Sequence, residues 1–344
     1  LQQCLQAERD LRDATRARSG SESAVRPLRA REVIDLTQGM TVLTVGEHKG
    51  RLVGVKLRGG RATQHDLGSA SLARRHTREI RSTLLRQMGG GARTPPENIL
   101  QQLSAQLLAP LGKLDLQVLV LPPPFLFGAP WRALPGLRNH RVSVSPSATL
   151  WQRRRNSDLK AGLLLVAGPE LRQGEAEIQL LAASAPKSTV LTDRAATVDN
   201  VVAALGHHGV AHIAAHGSNR TDNPMFSSLS MADGPLSVYD IGRIDIPPHL
   251  VVLSACHVGL AADKPGRELL GLVGGLLRAG SRTVVASTLP LPDTAGTVQY
   301  MAAFHASVAK GKPATESLLA ADAVLNSDSE RLLYRSAISL FGGD

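Results

Sequence analysis

The sequence contains little cysteine, few aromatic residues and no long apolar run. Its two cysteines, Cys4 and Cys256, lie far apart, which excludes a disulfide framework and predicts a reducing compartment such as the cytoplasm. No apolar stretch approaches the roughly 20 residues of a membrane-spanning helix, and the N-terminus does not resemble a signal peptide. Aromatic residues make up 3% of the chain, so side chains that could stack on nucleic-acid bases are scarce. We therefore expect neither a membrane nor a nucleic acid as a partner.

The positive charge of the chain is concentrated in its first part. Residues 1–200 carry 29 Lys and Arg against 17 Asp and Glu, whereas residues 201–344 carry 10 against 12. The arginines of the basic part are scattered through amphipathic segments, and residues 153–155 form their only run. This distribution predicts a solvated face or a docking surface for an acidic protein partner.

The sequence of residues 1–94 predicts helices on either side of a β-hairpin. Residues 1–23 predict a sparse amphipathic helix and a Gly/Ser break, and because the first residue is Leu we expect them to end a longer, helical array. Residues 24–94 form a second region. Its two β-rich runs, at 41–45 and 51–56, predict the hairpin, and the pattern at 70–88 predicts a helix.

Short apolar runs alternate with helical patterns over residues 95–344. This alternation predicts an α/β domain with a mostly parallel sheet covered by helices on both faces. The predicted strands are 116–121, 163–166, 189–191, 210–217, 251–256 and 283–287. The predicted helices are 97–109, 175–183, 198–205, 268–279, 295–310 and 313–326.

Two of these apolar strands each end on a chemically reactive side chain. Residues 210–217 (VAHIAAHG) end with His216 and Gly217, and residues 251–256 (VVLSAC) end with Cys256. If the two strands are parallel neighbours, both side chains emerge at the sheet edge where open α/β sheets gather catalytic groups. An imidazole beside a thiol can accept its proton and so promote attack on an acyl carbon. The backbone N–H groups of Gly217 and Cys256 would be donors to the developing oxyanion.

The neighbouring histidines fit other roles. His257 adjoins Cys256, and adjacent residues of an extended segment point in opposite directions, so we assign it a structural role. His212 lies inside the apolar strand, where a hydrogen-bonded core histidine is expected.

Other classes of site fit the sequence less well. There is no P-loop, no dinucleotide-binding glycine spacing and no GxSxG element. A zinc hydrolase is the remaining alternative, but no HExxH or paired CxxC spacing supports it, and we expect no metal or other cofactor. A zinc site would draw on His207, His208, His212, His216, Cys256 and His257.

Residues 95–344 resemble the CHAT family, caspase-like cysteine peptidase domains that are often fused to TPR repeats. A strand ending in His-Gly followed by a strand ending in Ala-Cys is the order of the caspase and separase clan. The matching blocks are VLVLPPPFLFGAPWRALPGL (118–137), VAHIAAHG (210–217), NP and FSSL (223–229), DGPLS with DI (233–241), LVVLSACHVG (250–259), the segment 266–280, and VVAS with Asp293 (284–293).

The resemblance implies a cytoplasmic cysteine endopeptidase of bacterial regulated proteolysis, of the defence or cell-death type. His216 would be the general base and Cys256 the nucleophile toward a protein or peptide substrate. A regulatory protein would bind through the N-terminal region. Asp222 and Asp293 lie in loops at the predicted catalytic edge and could bind a Lys or Arg of the substrate, although each could equally be a turn or capping residue. The alternative is a catalytically silent CHAT-like scaffold that binds an acidic protein partner.

Overall fold

Strands and helices alternate along the chain much as the apolar pattern predicts. The computed structural model describes residues 28–88, 96–152, 160–218, 227–254, 268–292 and 294–343. The strands are β1 (Thr41–His48), β2 (Arg51–Arg58), β3 (Arg61–Ser69), β4 (Gln117–Leu121), β5 (Arg141–Val144), β6 (Leu163–Ala167), β7 (Thr189–Leu191), β8 (Val210–Ala214), β9 (Gly217–Ser218), β10 (Ser228–Met231), β11 (Gly234–Ser237), β12 (Leu250–Ser254), β13 (Thr283–Ser287) and β14 (Ile338–Gly342).

Helices connect most of these strands. The α-helices are α1 (Ala30–Leu36), α2 (Ala70–Met88), α3 (Glu97–Leu108), α4 (Ala148–Gln152), α5 (Arg172–Ser184), α6 (Val198–Leu205), α7 (Val238–Ile241), α8 (Glu268–Ala279), α9 (Ala295–Ala309), α10 (Ala314–Asp322) and α11 (Asp328–Ala337).

Eleven strands of the described residues form one sheet in the order β3-β2-β1-β4-β5-β14-β13-β12-β8-β6-β7. Seven of its ten pairings are parallel, which confirms the predicted α/β class with a mostly parallel sheet. All five residues of β12 and of β13 are buried. Since alternate residues of a strand point to opposite faces, the sheet is covered on both faces there. Each fully buried Val or Leu contributes about 1.5–3 kcal/mol to the free energy of unfolding.

The N-terminal region contains three strands where the sequence predicted two. The third, β3, pairs antiparallel with β2 and forms one edge of the sheet. Its sequence, RATQHDLGS, is mostly polar and its side chains are mostly exposed. An edge strand with so little apolar character gives no period-two signal, which is why the sequence pattern missed it.

The C-terminal end also differs from the prediction that two helices close the sequence. A third helix, α11, follows them, and β14 begins directly at its end. β14 lies inside the sheet, antiparallel to β13 and parallel to β5. A strand that joins a helix without a turn carries no boundary signal in the sequence, which is why β14 was not predicted. The strand β5 was also not predicted, because it has only four residues.

The regions assigned to residues 24–94 and 95–344 share this sheet, because β1 pairs in parallel with β4. The boundary between them stays a prediction, and residues 1–23 lie outside the described residues. No helix in the described ranges is both long enough and apolar enough to cross a membrane.

Candidate active site at the carboxyl ends of two parallel strands

The two strands singled out in the sequence, β8 and β12, are parallel neighbours. Their register pairs Val252 with His212 and Ser254 with Ala214. The pairing continues one residue further, where the Ala215 N–H donates a hydrogen bond of 3.3 Å to the Ser254 carbonyl. The two strands therefore stay in register as far as Ser254, which precedes Cys256 by two positions in the sequence.

His216 follows β8 and is half-buried. Its Nε2 lies 3.1 Å from the carbonyl oxygen of Glu170, in the loop between β6 and α5. A carbonyl oxygen only accepts hydrogen bonds, so Nε2 carries the proton, and in the neutral ring the lone pair lies on Nδ1. The loop carbonyl thus fixes both the orientation of the ring and which nitrogen is basic.

The loop that supplies this carbonyl is held close to the sheet by Gly168. The Gly168 N–H donates to the Ala214 carbonyl at 2.7 Å. A Cβ at Gly168 would lie 2.5 Å from the carbonyl oxygen of Ser230 and 2.8 Å from the Ala215 Cβ. Glu170 itself has a φ of 60°, a left-handed conformation that is uncommon for a residue other than glycine. Close packing at Gly168 and this conformation together aim the Glu170 carbonyl at His216.

Replacing Gly168 with alanine is expected to lower the free energy of unfolding by about 1–3 kcal/mol, the usual cost of overpacking. The atoms that a Cβ would meet belong to backbone and to a buried alanine, which cannot turn aside. Chemical denaturation measures the effect. Gly274→Ala in α8 is the matched control, because nothing lies within 4 Å of its added Cβ, and alanine favours a helix over glycine. Equal stability of the two variants would contradict the close approach at Gly168.

Gly217 begins β9, a short strand that pairs antiparallel with β10. The Ser230 N–H donates to the His216 carbonyl at 2.8 Å, so the next pair along the ladder, Gly217 with Leu229, is of the non-hydrogen-bonded kind. In such a pair the N–H groups point away from the partner strand. The Gly217 N–H is therefore directed away from β10, as a donor to a bound group must be.

Several predicted site residues lie outside the described residues. These are the proposed nucleophile, its neighbour and the two carboxylates of the proposed substrate pocket: Cys256, His257, Asp222 and Asp293. The N-cap of helix α9, which was one alternative role for Asp293, is Thr294.

A buried polar cluster lies beneath the strand ends, and only its histidine on β8 was singled out in the sequence. His212 is fully buried, with Nε2 2.6 Å from Glu177 Oε1 and Nδ1 2.9 Å from His305 Nε2. This agrees with the core role predicted for His212. Burial first, and then the adjacent His212, hold the pKa of His305 well below its usual value. His305 is therefore neutral at physiological pH.

Glu177 was missed, although the sequence carries a signal for it. On α5 the buried positions are Gly174, Glu177, Ile178 and Leu181, which is the spacing of one helix face. A carboxylate on the buried face of an amphipathic helix is rare unless it is paired. Its presence in that stripe could have indicated a polar partner on the sheet.

Of the six residues named for the zinc alternative, Cys256 and His257 lie outside the described residues. His212 contacts Glu177 and His305, while His208 contacts Ala204 and Thr189 at the other end of β8. Within the described ranges, no group of three His, Cys, Asp or Glu is arranged to hold a metal ion.

Comparisons with known proteins point to one family and one fold. The model of the CHAT domain family matches residues 97–338. Two crystal structures of the Saccharomyces cerevisiae separase–securin complex are similar, with 11% and 10% identity and TM-scores of 0.67 and 0.65. Each match covers 90% of this chain and 30% of the matched chain, so the chain spans under a third of that length. At this identity the similarity is one of fold, the caspase-like sheet flanked by helices. No curated protein matches significantly.

Proposed function

Since this chain belongs to the CHAT domain family, we propose that it is a cysteine endopeptidase that cleaves protein substrates through His216 and Cys256. One observation carries the proposal. The register pairs Ala214 with Ser254, and His216 and Cys256 each follow these paired residues by two positions. Residues two apart along extended strands lie on the same face, so the proposal expects the imidazole and the thiol side by side.

The proposed reaction begins with proton transfer from the Cys256 thiol to Nδ1 of His216. The thiolate attacks the scissile carbonyl carbon, and the resulting oxyanion accepts hydrogen bonds from the N–H groups of Gly217 and Cys256. When the tetrahedral intermediate collapses, the C–N bond breaks and the leaving amine takes the proton from His216. His216 then removes a proton from water as the hydroxide adds to the acyl carbon, the C–S bond breaks and the thiolate recovers this proton from His216, and the product acid leaves as a carboxylate after losing its own proton to solvent.

The Glu170 carbonyl has a defined part in this scheme. By accepting a hydrogen bond from the Nε2–H group of His216, it keeps Nδ1 as the basic nitrogen and stabilises the imidazolium that forms during each proton transfer. A backbone carbonyl carries out this orienting role without adding a second titrating group to the site. The same carbonyl would stay in place through acylation and deacylation.

The proposal extends to partners and setting. Helix α2 exposes Arg75, Arg78 and Arg86, which supports a regulatory acidic protein bound through the N-terminal region. Separase was crystallised with securin, which suggests protein regulation here as well. Asp222 and Asp293 remain proposed contacts for a basic substrate residue. We place the protein in the bacterial cytoplasm, in regulated proteolysis of the defence or cell-death type.

The alternative is a silent scaffold of the same family that binds its acidic partner through these arginines but cleaves nothing. The exposed basic face of α2 supports either function. What separates them is whether the Cys256 thiol is activated.

An electrophilic peptide probe tests the proposed function on the full chain. The protein has two cysteines, and Cys4 serves as an internal reference for an ordinary thiol. We expect the adduct, mapped by mass spectrometry, on Cys256 and its absence in Cys256→Ser. Equal modification of Cys4 and Cys256 would contradict an activated nucleophile and would favour the alternative function, the silent scaffold.

A further inference from the structure

Glu177 is a carboxylate buried under the candidate active site, and its side chain is 3% exposed. Within the described part of the chain its polar contacts are the imidazole of His212, 2.6 Å from Oε1 but outside hydrogen-bonding geometry, and the hydroxyl of Ser254, which donates to Oε2 at 3.3 Å. Burying a carboxylate costs several kcal/mol unless its partners compensate. An imidazole and a hydroxyl compensate less than a bidentate guanidinium does. Stability alone therefore gives a weak reason for a glutamate here.

The positions of these partners give a stronger reason. Oε1 contacts His212 on β8 and Oε2 accepts from Ser254 on β12, so one carboxylate joins both strands near their carboxyl ends. His212 precedes His216 by four residues, and Ser254 precedes Cys256 by two. His212 and Ser254 share a sheet face, because Val252 pairs with His212 and residues two apart on a strand share a face.

Glu177 itself stands on the third element of the site. It lies in the second turn of α5, and the loop that enters α5 carries the Glu170 carbonyl that holds His216. The carboxylate thus links the strand of the base, the strand of the nucleophile and the helix whose loop orients the base. His305 on α9 completes the cluster by contacting the other nitrogen of His212.

We propose that Glu177 is a positioning residue for the dyad, which holds β8, β12 and the start of α5 at the spacing that the reaction needs. This inference rests on the proposed function. Reactions of this kind are sensitive to spacing, since a displacement of about 1 Å can cost roughly 100-fold in rate. In the described part of the chain, His212, Ser254 and the α5 loop connect the carboxylate to the elements that carry the reacting groups, so the proposed role is to set their geometry.

Glu177→Gln tests the proposal, because glutamine keeps the shape of the side chain and removes its charge. The readout is the rate of Cys256 modification by the peptide probe as a function of probe concentration. We expect the maximal rate to fall by roughly 10- to 100-fold, with the probe concentration at half-maximal rate changing by less than about 3-fold. Ser254→Ala, which removes only the link to β12, should lower the maximal rate less. Glu175→Gln, on the exposed face of the same helix, is the matched control and should react like the unaltered protein.

A second measurement is independent of catalysis. ¹⁵N NMR of the His216 ring reports its tautomer, and we expect the Nε2–H form in the unaltered protein and a mixture of tautomers in Glu177→Gln. If Glu177→Gln is less stable but keeps both the maximal rate and the tautomer, the residue is merely structural and the positioning role is wrong. If Cys256 of the unaltered protein is not modified by the probe, the proposed peptidase function is wrong. The positioning role is then tested by NMR alone, and an unchanged His216 tautomer in Glu177→Gln would contradict it.

Discussion

Cleavage of a peptide substrate is expected to fall by about 10²- to 10⁴-fold when His216 is replaced by alanine, the usual contribution of a general base. Without the imidazole, the thiol of Cys256 must lose its proton to solvent. The ordinary pKa of a cysteine thiol is about 8.5, so only a few per cent is thiolate at neutral pH. The measurement is kcat/KM with a substrate selected from a peptide library, on the full chain.

The activity of His216→Ala should also depend on pH in a definite direction. In His216→Ala the thiolate fraction rises as the pH increases toward about 8.5, so its residual activity should rise about 10-fold per pH unit below that value. In the unaltered protein the proposed transfer of the thiol proton to His216 replaces its loss to solvent, so the dependence should be flatter over the same range. His48→Ala, an exposed histidine at the end of β1, is the control. Equal activity of both variants, or no pH dependence in His216→Ala, would contradict the assignment of the base.

Replacing Asp322 with alanine is expected to lower the free energy of unfolding by about 3–5 kcal/mol. Both carboxylate oxygens accept from Arg132, at 3.0 and 2.9 Å, and one accepts from Arg335 at 2.8 Å. Arg132 is 6% exposed. Although burial opposes its charge, the Asp322 carboxylate and Tyr300 raise the pKa of Arg132 above its usual value. Removing the carboxylate would leave this buried guanidinium without its negatively charged partner.

Chemical denaturation of Asp322→Ala measures this loss, and Asp199→Ala provides the comparison. Asp199 pairs with Arg243 at 2.9 Å, but its side chain is 78% exposed, so the change should cost less than about 1 kcal/mol. Arg132 also donates to the carbonyl of Ile338, the first residue of β14. The Asp322→Ala change should therefore loosen the connection between α10 and β14. A loss no larger than that of Asp199→Ala would show that the buried pair is not what holds this region.

The sequence predicted the central strands because their signal is local. Leu163–Ala167 is a continuous apolar run, and Thr283–Ser287 has three consecutive apolar residues between a threonine and a serine; burial on both faces favours such runs. β3 and β14 lack that signal. β3 is a polar edge strand, and β14 continues directly from a helix, so only their pairing partners, which are distant in sequence, make them strands.

At the candidate site, too, the sequence predicts what a local signal encodes, and the tertiary structure decides the rest. The sequence by itself indicated which side chains to propose for the chemistry, because His216 and Cys256 end two short apolar runs of the kind typical of buried strands. The tertiary structure decided what surrounds His216. Hydrogen bonds across 46 residues to Glu170 and, from Ser254, across 77 residues to Glu177 depend on how the loop and helix after β6 return to the sheet. No local pattern encodes such contacts, because strand order and helix packing are set by the whole core.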